Sequence, residues 1–273
     1  MENTLRRLAR LVARPDDEID LAQGALLIAG VEYPDLDDAR YLDLLDRLAI
    51  EAGGRVREED GPFGAVNALS EFLFDDQRFR GNEGGYYDPR NSYLNEVLDR
   101  RLGIPITLSV VYLEVGWRLG MPVSGVGMPG HFLVRYRAPG EEIIIDPFHR
   151  GIILAMDDCR ELFGRATGHP TAFRVDHLAR VGTREILARM LNNLKSIYLR
   201  QHDLGRARTV VDQLLVLRPG DPEQLRERGV LRYRLGDTAG ALADLEAYLA
   251  ASPGAADADA VRQQVDELRD RLG

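Results

Sequence analysis

Cysteine is almost absent from this chain of 273 residues, which contains Cys159 and no other. A single cysteine excludes an intrachain disulfide and a metal cluster held by several thiolates. Asp157 and Asp158 directly precede it, and neighbouring negative charge disfavours the thiolate form. We therefore expect Cys159 to be a half-buried structural residue.

Long apolar runs and an excess of positive charge are also missing. No segment reaches the roughly 20 apolar residues that span a bilayer, and the first twenty residues contain no continuous apolar stretch of a secretion signal. The formal net charge of −9 argues against general nucleic-acid binding, which requires a basic surface. We expect a cytoplasmic protein that binds neither nucleic acid nor membrane, and we predict no cofactor.

The C-terminal third contains an internal repeat. Shifting the sequence by 34 residues places "HDLGRARTVVDQLLVLRPGD" over "GDTAGALADLEAYLAASPGA". This period, with small residues such as Ala207 and Ala241 where two helices cross and a proline that ends each unit, resembles the tetratricopeptide repeat. We predict a domain over residues 183–273 with two repeats and a capping helix, whose apolar stripe comprises Val261, Val265, Leu268 and Leu272.

Residues 1–182 are predicted to form an α+β domain. The first hundred residues place apolar side chains at helical spacing. After the turn-rich stretch "GNEGGYYDPRNS", Pro105 is suited to the first turn of the helix "ITLSVVYLEVGWRLG". The segments "VSGVG", "HFLVRY" and "EIIID" indicate three strands. The expected fold class is therefore α+β, with a helical N-terminal segment, a core of one helix plus an antiparallel sheet, and then all-α repeats.

His131 and Asp146 stand in two of these strand segments and are candidate acid-base residues. A hairpin that turns around "RAPGEE" places them on one face of the sheet, because faces alternate with period two. An aspartate that accepts a hydrogen bond from one imidazole nitrogen fixes the tautomer and raises the basicity of the other nitrogen. The alternative is a structural pair with nothing to activate, and the sequence leaves both open.

The motifs "RLGIPI", "PGHF" and "DPF" occur in this order and at a specific spacing. With them, the chain resembles the bacterial transglutaminase-like proteins of the SirB type, which carry tetratricopeptide repeats at their C-termini. The wider superfamily uses a papain-type Cys-His-Asp triad, so the resemblance implies that His131 and Asp146 are its histidine and aspartate. The cysteine has no counterpart, because the corresponding position, at or near residues 105–107, holds Pro, Ile and Thr.

Thr107 and Ser109 are the candidates to replace the missing thiol. They lie in the first turn of the predicted helix, where exposed backbone N–H groups could stabilise an oxyanion. A hydroxyl is a weaker nucleophile than a thiolate and needs a base in direct contact. Serine and threonine at such positions more commonly cap a helix or pack in the core. Ser92 is a further candidate with the same alternative.

His149 would complete a set of two histidines and one carboxylate with His131 and Asp146, the elements of a metal site. His149 follows "DPF" in a turn, however, so the sheet does not fix its direction. We predict no metal site.

The first helices of the repeats are rich in basic residues. We predict that they bind a protein or peptide partner, with an acidic peptide or a C-terminal carboxylate as the favoured chemistry. The residues chosen for this role are Arg189, Lys195, Arg226, Arg228 and Arg232. The alternative is a solvated basic face that balances the acidic N-terminal domain.

Two classes of function follow. We favour a non-enzymatic, protein-binding or regulatory module, in which a transglutaminase-like domain without the catalytic cysteine is joined to repeats. The alternative is a hydrolase or acyltransferase on peptide or amide bonds that uses a serine or threonine with His131 and Asp146. The missing cysteine is direct evidence for the first class, whereas a substitute nucleophile is conjecture.

Overall fold

The computed structural model describes residues 2–56 and 61–272. The chain divides into two compact units, Met1–Met190 and Leu191–Gly273. The division falls inside one helix, Thr183–Arg200, and the boundary predicted between residues 182 and 183 stays a prediction. Within the described ranges, no helix combines the length and apolar character needed to cross a membrane.

The first unit begins with helices, which confirms the predicted helical N-terminal segment. Asp20 and Asp37 cap the second and third helices, since their side chains accept hydrogen bonds from the backbone N–H groups of Gln23 and Arg40. The second helix is apolar on almost all sides and is therefore buried. These helices are α1 (Glu2–Val12), α2 (Leu21–Glu32), α3 (Asp38–Gly53) and α4 (Gly61–Ser70), which continues as a π-helical turn (Glu71–Asp76).

The central helix of the first unit is α6 (Pro105–Arg118), which follows α5 (Leu94–Arg100). All its residues from Pro105 to Gly116 are buried. Proline suits the first helical position because its missing N–H group has no partner there and its φ angle is already helical. A short parallel pair of strands, β1 (Arg80–Gly81) and β2 (Leu102–Gly103), precedes α6.

A five-stranded antiparallel sheet completes the α+β core. Its strands are β3 (Val123–Val126), β4 (Leu133–Ala138), β5 (Glu141–Asp146), β6 (Ile152–Leu154) and β7 (Arg180–Val181), in the order β6-β5-β4-β3-β7. The three central strands are those predicted. The outer strands, β6 and β7, are three and two residues long, which is too short for an alternating pattern to reveal them.

The two faces of the sheet pack against different helices. On one face, Gly116 of α6 approaches Val123 of β3 so closely that an added Cβ would lie 2.9 Å from the valine side chain. On the other face lies α7 (Met156–Thr167), which the sequence analysis did not predict. Its contacts form a buried apolar cluster of Val126, Met128, Leu133, Ile144, Cys159, Phe163 and Leu178.

The second unit contains the C-terminal part of α8 (Thr183–Arg200), then α9 (Leu204–Leu217), α10 (Pro222–Arg234), α11 (Thr238–Ala251) and α12 (Ala258–Leu272). Ala207 and Ala241 are buried, as predicted for helix crossings. These helices lie where the repeats were predicted, and their division into two repeats and a capping helix stays a prediction. The predicted apolar stripe of α12 needs one correction, because Leu272 in the last turn is 50% exposed.

Candidate functional site

The β4–β5 hairpin positions Asp146. The strands turn through Pro139 and Gly140, with Ala138 paired to Glu141, and Gly140 has a φ of +81° that favours glycine. In this register Val134 pairs with Ile145. Asp146 therefore lies level with Leu133, two residues after His131. The side chain of Asp146 therefore shares its face of the sheet with Ile144, the face that packs against α7.

His131 lies in a turn just before β4, whereas the predicted strand "HFLVRY" includes it. The strand begins at Leu133 because the His131 N–H donates to the carbonyl of Met128, 3.1 Å away, and Gly130 has a φ of +73°. An added Cβ at Gly130 would lie 2.4 Å from the Cβ of Ala166 in α7, so only glycine fits this approach. The turn carries the imidazole to the end of β5.

The predicted hydrogen bond between the two residues is present. Nε2 of His131 lies 3.0 Å from Oδ2 of Asp146. The side chain of Asp146 is 1% exposed and that of His131 is 8% exposed, so the pair is shielded from water. A carboxylate that accepts the Nε2–H group would hold the imidazole in one tautomer.

His149 joins the pair, and the sequence could not fix its position. Nδ1 of His149 lies 2.7 Å from the same Oδ2 atom of Asp146. Oδ1 of Asp146 accepts hydrogen bonds from the backbone N–H groups of Phe148 (3.0 Å) and His149 (3.3 Å). The aspartate thus caps the 3-10 turn Pro147–His149 and orients its last side chain.

The ring of Phe148 anchors this turn against β1. An added Cβ at Gly81 would lie 2.6 Å from that ring, so glycine is needed where the ring packs. Phe148 also meets the rings of His131 and His149 edge-on, with centroids 6.1 and 5.2 Å away. The two imidazoles stack, with an interplanar angle of 24° and centroids 5.9 Å apart.

Opposing effects set the pKa of Asp146. Burial alone would raise the pKa of this carboxyl, but the hydrogen bonds and charges of His131 and His149 outweigh burial and hold the pKa below its ordinary value. Asp146 is therefore ionised at neutral pH. One ligand atom from each of the three residues lies within 4.8 Å of the other two, so these residues could hold a metal ion.

A cleft of about 330 Å³ opens beside Asp146 and His149. Strand β6 and helix α7 form its walls. It is lined by Asp146, His149, Ile152, Ile153, Leu154, Asp158, Glu161, Leu162 and Arg165. None of these residues carries a hydroxyl or a thiol, so the cleft itself supplies no nucleophile for acyl transfer.

In the described residues, neither Thr107 nor Ser109 is hydrogen-bonded to His131, and their role as nucleophiles stays a prediction. Thr107 is fully buried; its hydroxyl donates to the Asn91 carbonyl at 2.7 Å and accepts from the Ile104 N–H at 3.1 Å, so it caps α6. Ser109 is also fully buried, and its hydroxyl lies 3.4 Å from the carbonyl oxygen of Phe132. Both residues belong to α6, which packs against β3, β4 and the 3-10 turn Pro147–His149.

Two other potential nucleophiles are buried. Ser92 is fully buried in the turn before α5. Cys159 of α7 is fully buried in the apolar cluster between this helix and the sheet, more deeply than the half-buried position predicted. Burial, with the nearby charges of Asp158 and Asp146, raises the pKa of the Cys159 thiol to about 11.

The predicted partner-binding residues have partners within the chain. Arg189 lies in the first unit, where it donates to the Gly127 carbonyl at 2.8 Å and to Glu185 at 3.1 Å. The other four belong to the second unit. Lys195 contacts Gln224 and Glu227, Arg226 pairs with Asp257, Arg228 pairs with Asp212 and Asp244, and Arg232 pairs with Asp244.

Sequence reasoning missed the acidic partners of these cations. Asp244 is buried between α10 and α11 and aligns, in the 34-residue register, with Val210 of the first repeat. Val210 is buried in α9. The sequence did contain a signal for this internal ion pair, because it places a carboxylate where the other repeat has a valine.

Comparisons with known proteins agree with this architecture. Residues 39–192 match the transglutaminase-like superfamily, and residues 194–266 match the tetratricopeptide repeat. The fold, the buried His-Asp pair and these matches define the class: a transglutaminase-like domain followed by tetratricopeptide repeats.

The similar proteins narrow the class to one family. A UPF0162 protein of Xylella fastidiosa is 40% identical over 98% of this chain and 97% of its own length. A UPF0162 protein of Vibrio cholerae is 28% identical over 92% of this chain and 93% of its own length. Human F-box only protein 21 is 32% identical over 69% of this chain but only 31% of its own length. The chain belongs to the UPF0162 family of bacterial transglutaminase-like proteins.

Proposed function

We propose that this protein is a non-enzymatic binding or regulatory module, in which a transglutaminase-like domain without a catalytic thiol is joined to repeats that bind a protein or peptide. The observation that carries the proposal is that, in the described residues, the His131 side chain is hydrogen-bonded to Asp146 and to no hydroxyl or thiol. The cleft next to the pair is lined by no hydroxyl or thiol. The cysteine of the chain, Cys159 of α7, is buried in the apolar cluster between α7 and the sheet.

An activity screen tests this proposal. The intact chain is incubated with a panel of activated esters, peptide amides and glutamine-containing peptides with an amine acceptor, beside the His131→Ala variant. We expect product formation by both proteins to equal the buffer blank. Turnover that requires His131 would refute the non-enzymatic proposal and favour a hydrolase or acyltransferase.

The alternative enzyme rests on the His131–Asp146 hydrogen bond, which supplies a base with a fixed tautomer. To serve as nucleophile, Thr107 must give up its cap on α6 and Ser109 its contact with Phe132, because a hydroxyl needs its base in direct contact. Labelling with a fluorophosphonate probe discriminates the two functions. If the protein is an enzyme, the probe should label the intact chain, and Thr107→Ala or Ser109→Ala should lose the label. If the protein is a binding module, the probe should label none of these proteins.

Partner binding through the repeats follows from what tetratricopeptide repeats generally do, and a cytoplasmic partner fits a chain with so little cysteine. We also propose that the partner is acidic, but its carboxylates must compete with aspartates of the chain itself. Because Asp212, Asp244 and Asp257 already pair with Arg226, Arg228 and Arg232 of α10, the carboxylates of the partner must displace them. Arg226 is the best placed for such an exchange, since its side chain is 44% exposed.

Ionic strength and one matched pair of variants test this condition. Binding of an acidic peptide is measured by fluorescence anisotropy at low and high salt, for the intact chain and for Arg226→Ala. Arg269→Ala, another exposed arginine with carboxylate partners, is the control. Affinity that falls with salt and with Arg226→Ala alone supports the exchange; salt-independent binding in all three proteins contradicts it.

A further inference from the structure

The carboxylate of Asp146 is held in an unusual way for a purely structural group. Its two oxygens have separate roles: Oδ1 accepts the two backbone N–H groups of the turn, while Oδ2 faces one nitrogen from each of two imidazoles. The hydrogen bonds from the backbone to Oδ1 fix the orientation of the carboxylate group. Oδ2, Nε2 of His131 and Nδ1 of His149 therefore converge on one small volume.

We propose that His131, Asp146 and His149 form a binding site for a divalent first-row transition-metal ion, with Zn²⁺ as the representative ion. The inference goes beyond partner binding by the repeats and does not depend on it. Imidazole nitrogen and carboxylate oxygen are ligands that suit zinc, cobalt, nickel and copper. Three protein ligands leave a fourth position for water or for a ligand from the cleft.

The distances fit a metal site with little rearrangement. Ligand atoms about 2.0–2.2 Å from the ion are roughly 2.8–3.1 Å apart in cis positions of an octahedral site and roughly 3.3–3.6 Å apart in a tetrahedral site. Oδ2 lies 3.0 Å from the His131 nitrogen and 2.7 Å from the His149 nitrogen. One ligand atom from each residue lies within 4.8 Å of the others, and rotation of the half-exposed His149 ring supplies the remaining approach. An ion would sit between Oδ2 and the two imidazole nitrogens, and the nitrogens that bind it would carry no proton.

Access and charge also suit a cation. The side chain of His149 is 43% exposed, so an ion can enter from the cleft and not through the core. Asp158 and Glu161 line the same cleft with a single arginine, Arg165. Carboxylates at the entrance favour cation entry through their electrostatic field.

The test uses the intact, tag-free chain, stripped with a chelator and then titrated with Zn²⁺ by calorimetry and with Co²⁺ by visible absorption. We expect one ion per chain and cobalt bands typical of nitrogen and oxygen ligands. His149→Ala should weaken binding at least as much as the loss of a supporting group does, roughly 10- to 100-fold. His131→Ala and Asp146→Asn should do the same.

His169→Ala is the matched control. His169 is an exposed histidine whose side chain does not cap the 3-10 turn that it precedes, and this variant should bind Zn²⁺ like the intact chain. His149 is at the surface, so His149→Ala tests the metal site even if the buried residues cannot be replaced without unfolding the chain. Absence of saturable binding, or equal affinity in His149→Ala and His169→Ala, would overturn the proposal.

Discussion

Asp244 makes the contacts on which the second repeat depends. Its carboxylate receives two hydrogen bonds from Arg228, at 2.7 and 2.8 Å, and pairs with Arg232 at 2.9 Å. The Asp244 side chain is 5% exposed, and those of Arg228 and Arg232 are 20% and 23% exposed. Replacing Asp244 with alanine would leave two partly buried guanidinium groups without their shared anion.

The burial of these side chains sets the expected loss of stability in Asp244→Ala. Removing one partner of a buried ion pair costs about 3–5 kcal/mol. Arg228 keeps Asp212 at 3.1 Å, and water can reach about a fifth of each guanidinium, so the lower end, about 3 kcal/mol, applies. Since each 1.4 kcal/mol is a factor of ten, opening of this helical pair should become roughly 100-fold more frequent.

Hydrogen-deuterium exchange of the intact chain measures this opening locally, because amide exchange reports the free energy of opening of each segment. Peptides from α10 and α11 should exchange about 100-fold faster in Asp244→Ala. The control is Asp266→Ala, an exposed partner of Arg269 at 3.3 Å, which should change stability by less than about 1 kcal/mol.

Equal exchange in Asp244→Ala and Asp266→Ala would refute the reasoning. It would mean that the carboxylate does not hold the two arginines. Their charge would then be available to an acidic partner, which would strengthen the prediction made from the sequence.

Two further predictions concern the candidate nucleophiles. Cys159 should resist iodoacetamide at pH 8, since a pKa of about 11 lowers its thiolate fraction about 100-fold relative to an ordinary thiol. Labelling should accelerate only as the pH approaches that pKa. Rapid stoichiometric labelling of the folded chain at pH 8 would contradict the buried position. Thr107→Ala should cost about 1–2 kcal/mol in urea-induced unfolding because it removes the cap of α6 and its bond to Asn91, whereas Thr107→Ser should restore most of it. A Thr107→Ala variant as stable as the parent would show that the hydroxyl has no capping role.

The sequence determined those features that depend on neighbours within one element. The 34-residue period located the repeats because each repeat packs in the same way as the next. Alternation around "RAPGEE" predicted that His131 and Asp146 lie close together because β4 and β5 are joined by a tight turn, although His131 itself lies in the turn before β4. Pro105 marked the start of α6 for an equally local reason.

Tertiary structure alone decided which elements meet on each face. Periodicity shows that Ile144 and Asp146 point the same way, but not that α7 covers them while α6 covers the opposite face. The orientation of His149 depends on a turn that Asp146 caps and Phe148 anchors. Arg228 is basic in the sequence but neutralised in the fold. A sequence pattern records how a side chain points from its own backbone, whereas charge and chemistry depend on the side chains that other elements bring to it.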